Sequence, residues 1–258
     1  MKTVSIIGGG NLGNAIANGL VNSHIIQPKQ LIVTRRKVEL LKHLSKQGAQ
    51  IHSDNVKAAK EADIIILCVK PYNIEGILTE IKGELKGKLL ISTVSGVTLK
   101  QMHDWIGEEV SIIRSMPNTA AEVEESLTCL SGDVSEAEFS IAEQLFQAIG
   151  KTIRIQESLM EAATVLGACG IAYVLRFMRA MVQGGIQIGF DAQTATEIVN
   201  QTVLGAAKLL DDTNSHPERE IDKVTTPKGC TIAGLNEMEH NGFSSALIKG
   251  ITKSFDEI

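Results

Sequence analysis

Two short stretches carry residue types that can bind and orient small charged molecules. The first is Gly8-Gly9-Gly10-Asn11-Leu12-Gly13, placed directly after the apolar run Val4-Ser5-Ile6-Ile7 and before a helix-forming run over 14–20. The order is strand, G-x-G-x-x-G turn, helix. Gly8 makes the tight turn, Gly10 lets the backbone approach a pyrophosphate, and Gly13 lets the helix pack close to the strand. The helix start then presents N–H groups and a positive dipole end to phosphates. The second stretch is Val224-Thr225-Thr226-Pro227-Lys228-Gly229-Cys230-Thr231-Ile232. Its hydroxyls, Pro and Gly before a helix start suit a small-anion site, with the N–H groups of Gly229, Cys230 and Thr231 pointing outward. They suit an ordinary capped turn equally, with Thr231 as the N-cap.

The first stretch calls for a dinucleotide, and a second position bears on which one. A fold that selects NAD carries Asp or Glu about 20 residues past the glycines, to accept from the ribose 2′-hydroxyl. Here that place holds Thr34-Arg35-Arg36. Two guanidinium groups can bind a 2′-phosphate bidentately. NADP(H) is therefore the preferred cofactor, with NAD(H) the alternative. Ligands of open α/β sheets bind at the C-terminal ends of strands, which puts Lys70-Pro71 over the cofactor. The segment 116–119, with Asn118, marks another such end.

These residues need a sheet to hold them. Apolar runs at 30–34, 62–69, 89–94, 110–114, 127–130 and 152–155 read as strands. Helices over 38–47, stopped by Gly48, and over 56–61, capped by Asp54, alternate with them, as do one begun by Thr98 and one over 138–149 capped by Ser135. The reading is an α/β fold, a Rossmann-type doubly wound sheet of about eight strands, followed by an all-helical dimerisation domain. From about 158 only helical spacing remains, over 160–166, 171–188, 192–210 and 235–255. The expected domains are 1–157 and 158–258. Several of the later helices are apolar on more than one face, which calls for a homodimer.

The whole-chain balance narrows the classes. The 258 residues are 43% hydrophobic, 21% charged and only 3% aromatic, so the core is aliphatic. A net charge of −5 argues against a nucleic-acid partner. The longest clearly apolar run, 64–69, is too short to span a bilayer, so no membrane is expected. The chain enters its first strand with no basic-then-apolar leader, which argues against secretion. Cys68, Cys129, Cys169 and Cys230 form no C-x-x-C pair. Free thiols in a reducing cytoplasm, and no metal site, are the expectation.

The chain resembles the pyrroline-5-carboxylate reductases over about residues 3–254. The resemblance rests on Ile7 with the glycine turn, the block 62–71 ending in Val69-Lys70-Pro71, Ser95-Gly96-Val97-Thr98, Arg114-Ser115-Met116-Pro117-Asn118-Thr119, the block 202–210 and the block 224–234. It implies a Rossmann-type domain and an interlocking helical dimer domain, in a family often assembled into a decamer. It implies hydride transfer from NAD(P)H to the C=N carbon of 1-pyrroline-5-carboxylate, giving L-proline. Matching positions place Gly9, Asn11 and Leu12 at the pyrophosphate, Thr34 and Arg35 near the 2′-phosphate, and Asn55 at the adenosine ribose. Val69, Lys70 and Ser95 fall on the nicotinamide side, and Glu157, Cys230 and Thr231 at the substrate. Thr226 and Gly229 belong to the same substrate turn, and Thr164 matches upstream of the long helix. Backbone N–H groups in that turn would hold the carboxylate, while the Thr231 hydroxyl donates to the ring nitrogen.

Two departures fall on the substrate side. The family pattern Ser-Gly-Ser-Gly-Pro-Ala-Tyr reads Gly167-Ala168-Cys169-Gly170-Ile171-Ala172-Tyr173 here, and Lys228 stands where the family has Gly. A Gly is replaced without strain only if its φ is negative. These departures leave two alternatives to the reductase reading. One is a reductase of another small carboxylated imine or hydroxyacid. The other is a nucleotide-binding regulatory paralogue with lost activity.

Overall fold

The computed structural model describes residues 2–258, which form two compact units, 2–169 with Ile258 and 170–257. The sequence divides the domains after 157, twelve residues before this boundary.

The first unit is built on one eight-stranded sheet, β1 (Val4–Ile7), β2 (Leu31–Thr34), β3 (Gln50–His52), β4 (Ile64–Leu67), β5 (Leu89–Ser92), β6 (Ser111–Met116), β7 (Ser126–Gly132) and β8 (Gly150–Arg154). The order is β3-β2-β1-β4-β5-β6-β7-β8. β1 to β6 are parallel, β7 turns antiparallel to β6, and β8 runs parallel to β7. Every residue of β1, β2, β4 and β5 is buried, as continuous Val/Ile/Leu runs covered on both faces require. One core cluster joins α1 (Asn11–Asn22) and α6 (Glu136–Gln147) to one side of the sheet. A second joins α4 (Pro71–Ile81) and α5 (Leu99–Ile106) to Ile65, Leu67 and Leu90 on the other.

The local signals for these elements hold. Asp54 Oδ1 accepts from Lys57 N at 2.9 Å to cap α3 (Asn55–Glu61). Thr98 and Ser135 each close a capping box with Gln101 and Glu138. Gly48 ends α2 (Lys42–Gln47) in the left-handed region. The expected single helix over 38–47 is a 3-10 turn, Val38–Leu41, followed by α2.

A four-residue helix, α7 (Met160–Ala163), runs into a π-turn, Thr164–Cys169. The second unit then holds α8 (Gly170–Gln187), α9 (Ala192–Thr213), α10 (Pro217–Val224), α11 (Cys230–His240) and α12 (Phe243–Asp256). The sequence reading joins the last two over 235–255 and omits α10. Gly242 at φ 78° divides α11 from α12, and Pro217 opens α10 at its first position. Val182, Ala195 and Val199 are the buried apolar core between α8 and α9. A Cβ on Gly185 would lie 3.2 Å from that of Ala195, so the two helices approach closely there. The Tyr173 hydroxyl donates to Ser254 Oγ at 2.7 Å, tying α8 to α12.

The stretch Glu157–Gln187 is long and apolar enough to cross a membrane by length and composition. A search for unbroken apolar runs does not see it, because small and polar residues are interspersed. Within the second unit many large apolar side chains are exposed, among them Leu175, Ile188, Leu204, Leu247 and Ile248.

Candidate functional site

Most of the proposed cofactor residues of the first unit fall at the C-terminal ends of neighbouring parallel strands. The glycine turn follows β1, Thr34 ends β2 with Arg35 and Arg36 beyond it, Val69 to Pro71 follow β4, and Ser95 and Asn118 follow β5 and β6. The strand order reverses between β1 and β4. That reversal is where an open α/β sheet leaves a crevice for a ligand.

The glycines differ in what constrains them. Gly8 has φ 110°, and a Cβ there would overlap the Cys68 carbonyl oxygen. A Cβ on Gly13 would overlap the Gly8 carbonyl oxygen. These two are required by the fold itself. A Cβ on Gly9 would press on Leu41 at 2.8 Å. At Gly10 no protein atom lies within 4 Å of an added Cβ, so no protein contact there demands glycine. The Gly8 and Gly9 N–H groups donate to the Thr34 carbonyl at 3.3 and 2.7 Å, and Gly10 N–H donates to Gly8 O at 2.8 Å. The helix therefore offers the N–H groups of Asn11, Leu12 and Gly13, uncapped by any side chain and with no acid in the first turn. An open face at Gly10 beside three unsatisfied donors fits a pyrophosphate.

Around this turn the side chains hold one another. Thr34 is buried, and its hydroxyl donates to Asn55 Oδ1 at 2.8 Å, so Thr34 fixes Asn55 and does not itself face solvent. Arg35 Nη1 donates to the Gly9 carbonyl at 2.8 Å, which lays the guanidinium against the glycine turn with its other N–H groups remaining. Arg36 is exposed beside it. Lys70 is the N-cap of α4, Pro71 occupies its first position, and Val69 and Ser95 are half-buried. Asn118 is occupied. Its Oδ1 accepts from Ala120 N at 3.0 Å and its Nδ2 donates to the Gly167 carbonyl at 3.2 Å, within the π-turn.

Cys68, next to the turn, is half-buried, and desolvation pushes its thiol up from the ordinary 9.0 to about 12, opposed by a hydrogen bond with Thr93. It is a packing residue. All four cysteines are free. Thr164 turns its hydroxyl back to the Met160 carbonyl at 2.9 Å and is buried at the head of the π-turn. π-turns gather at functional sites, and this one covers the start of the stretch that departs from the family pattern. Glu157 is tied to Arg114, which the sequence reading places in a matching block but gives no role. The available signal was one charge in an otherwise uncharged strand.

In the second unit the turn 226–229 closes with Gly229 N–H donating to the Thr226 carbonyl at 2.9 Å. Pro227 sits at the second position and Lys228, at φ 62°, at the third. This is the pattern of a type II turn, whose third position normally takes glycine. A Cβ on Gly229 would lie 2.6 Å from Thr226 Oγ1, so Gly229 is needed where it stands. Gly229 is the N-cap of α11, Cys230 its first residue and Thr231 its second. Two expectations are corrected: Thr231 is not the N-cap, and the Gly229 N–H is spent inside the turn. The outward donors are those of Cys230, Thr231 and the residue after them, with no side-chain cap and no acid in the first turn. Thr226, Cys230 and Thr231 are exposed.

A doubly wound sheet with a glycine turn at its switch point, preceding a helical unit with uncovered apolar faces, defines a dinucleotide-binding oxidoreductase with a helical assembly domain. Residues 3–96 match the family described as NADP oxidoreductase, coenzyme F420-dependent, and residues 157–258 match pyrroline-5-carboxylate reductase dimerisation. Pyrroline-5-carboxylate reductase 2 of Dictyostelium discoideum is 41% identical over 99% of this chain and 92% of its own length. Pyrroline-5-carboxylate reductase 1 of the same organism is 42% identical over 98% of this chain, which spans about half (49%) of that relative. The crystal structure of a pyrroline-5-carboxylate reductase from Coxiella burnetii superposes with TM-score 0.92 at 30% identity, covering 99% of this chain and 97% of that one. That of the Plasmodium falciparum pyrroline carboxylate reductase with NADP bound gives 0.90 at 26% identity, covering 99% and 96%. The chain belongs to the pyrroline-5-carboxylate reductase family, whose members are NAD(P)H-dependent oxidoreductases.

Proposed function

We propose that this protein reduces 1-pyrroline-5-carboxylate to L-proline, with NADPH as the preferred cofactor and NADH as the alternative. The observation that carries the reading is the glycine turn at the β1/β4 switch point, open at Gly10, in a chain whose relatives across its whole length are named for this reaction. When bound, NADPH supplies the hydride that adds to the carbon of the C=N bond. The N–H groups of Asn11, Leu12 and Gly13 hold the pyrophosphate, and Asn55, fixed by Thr34, meets the adenosine ribose. Arg35, laid on Gly9, meets the 2′-phosphate together with Arg36. Val69, Lys70, Pro71, Ser95 and Asn118 shape the nicotinamide side.

In the second unit the N–H groups of Cys230 and Thr231 hold the substrate carboxylate at the positive end of α11. Thr226 and Gly229 set the turn that aims them. Thr231 donates its hydroxyl hydrogen to the ring nitrogen as a lone pair develops there. A protonated imine is already a strong hydride acceptor, so the protein's task is to position it and to stabilise charge. A domain division after residue 157, a homodimer built from the helical faces, further assembly to a decamer, and a cytoplasmic location belong to the same reading. The exposed apolar residues of α8, α9 and α12 support the dimer, and four free cysteines support a reducing compartment.

The test is direct. Purified protein is mixed with NADPH and 1-pyrroline-5-carboxylate, and the loss of nicotinamide absorbance is followed. Turnover is expected, faster with NADPH than with NADH. NADPH binding without turnover would remove the reductase reading and favour the regulatory paralogue.

A further inference from the structure

Arg114 lies in β6 with its side chain only 2% exposed. Nη1 donates to Glu157 Oε1 at 3.2 Å and Nη2 to Glu161 Oε1 at 2.9 Å. Nε has no partner among the described residues. Glu157 Oε1 also accepts the N–H of Leu99, the first residue of α5, at 2.6 Å. One oxygen of Glu157 is thus gripped by two donors from two different elements. Its other oxygen, Oε2, has no hydrogen-bond partner among the described residues, on a side chain that is 34% exposed. The carboxylate is held by one end and offers the other.

A buried ion pair is weak evidence of a stabilising role, because apolar residues of similar volume often serve as well or better. We infer that Arg114 is a positioning residue for the reduction: it fixes Glu157 so that Oε2 is presented to the cationic, protonated form of a cyclic imine. The free oxygen of Glu157 favours that form, the better hydride acceptor. This inference rests on the reductase reading and on Glu157 as a substrate residue.

The test compares wild type with Arg114→Lys, Glu157→Gln, the double variant and Glu161→Gln. Steady-state kinetics for the imine are measured at saturating NADPH, with the NADPH Kd taken separately from nicotinamide fluorescence. Arg114→Lys keeps the charge and loses the two-pronged grip. It is expected to lower kcat/KM for the imine about tenfold, the scale of one charged hydrogen bond, with NADPH Kd within about twofold of wild type. Glu157→Gln is expected to do the same, and the double variant to be no worse than the worse single one, since both act through one group. Glu161→Gln removes a partner of Arg114 without touching Glu157, and is expected to lower the melting temperature while leaving imine kinetics unchanged. Wild-type imine kinetics in Arg114→Lys would overturn the inference. So would an equal loss of NADPH affinity, additive losses in the double variant, or the same kinetic loss in Glu161→Gln. Unchanged kinetics in Glu157→Gln would also overturn it while leaving the reductase reading standing. Only a wild type without turnover removes that reading.

Discussion

Lys228 holds a backbone conformation that glycine adopts freely and other residues adopt at a cost, with φ 62° in the turn that precedes α11. The left-handed region costs a side-chain-bearing residue roughly 1–2 kcal/mol. The extra freedom of glycine in the unfolded chain costs roughly 0.5–1 kcal/mol. Lys228→Gly is therefore expected to stabilise the protein by about 0.5–1 kcal/mol, read as a rise in the urea midpoint. Thr231→Ala is expected to lower kcat at least about tenfold while NADPH Kd stays put; a rate equal to wild type would take Thr231 out of the chemistry. Cys68 makes a pH prediction. Its thiol is raised from 9.0 to about 12 in the fold, so above 9 the unfolded chain loses a proton that the native chain keeps. Its contribution is intact below pH 9 and is lost as pH rises toward 12. Replacing Cys68 by Ala should flatten that part of the alkaline stability curve. Glycines, arginines and threonines of the site were legible from residue type and spacing. The φ of Lys228 and the grip on Glu157 were not, because a sequence carries neither a dihedral angle nor a contact 58 residues apart.

At the scale of elements, the strand–turn–helix opening shows which glycines serve the fold and which face a ligand. Gly13→Ala places a methyl on the Gly8 carbonyl, so α1 must move off the sheet. It is expected to cost about 1–3 kcal/mol or more, seen as a large drop in melting temperature. Gly10→Ala meets no protein atom within 4 Å and is expected to leave the melting temperature unchanged while raising NADPH Kd at least about tenfold. Equal effects on both quantities in both variants would void the distinction. Strands and capped helices were readable because burial on both faces forces continuous apolar runs and caps need particular side chains. β3 was not, since Gln50-Ile51-His52 is too short and too polar to show a period. Nor was the π-turn. It adds a residue to a turn without changing the apolar character of the segment.

For the whole molecule, the second unit has few ways to bury its own surface. Val182, Ala195 and Val199 make up its buried apolar core, while Leu204 and Ile248 are 60% and 65% exposed. The stretch Glu157–Gln187, apolar enough for a membrane by composition, falls in the part of the chain that matches the dimerisation family. Sedimentation should show at least a dimer. A Leu204→Glu, Ile248→Glu variant should shift it toward monomer, while NADPH binding by the first unit persists. The uncovered apolar faces were legible from helices apolar on several sides; what would cover them is set by surface shape, which no single sequence displays.

β8 closes one margin of the sheet, and such a margin is an open template of unpaired backbone groups. Arg154 stands on it, bonded to Glu136 and Glu143 of α6 and stacked over the Phe139 ring at 4.4 Å. A charged side chain at that rim disfavours strand-to-strand pairing between copies of the chain. The same side chain thus both pins α6 to the sheet and blunts an exposed sheet edge.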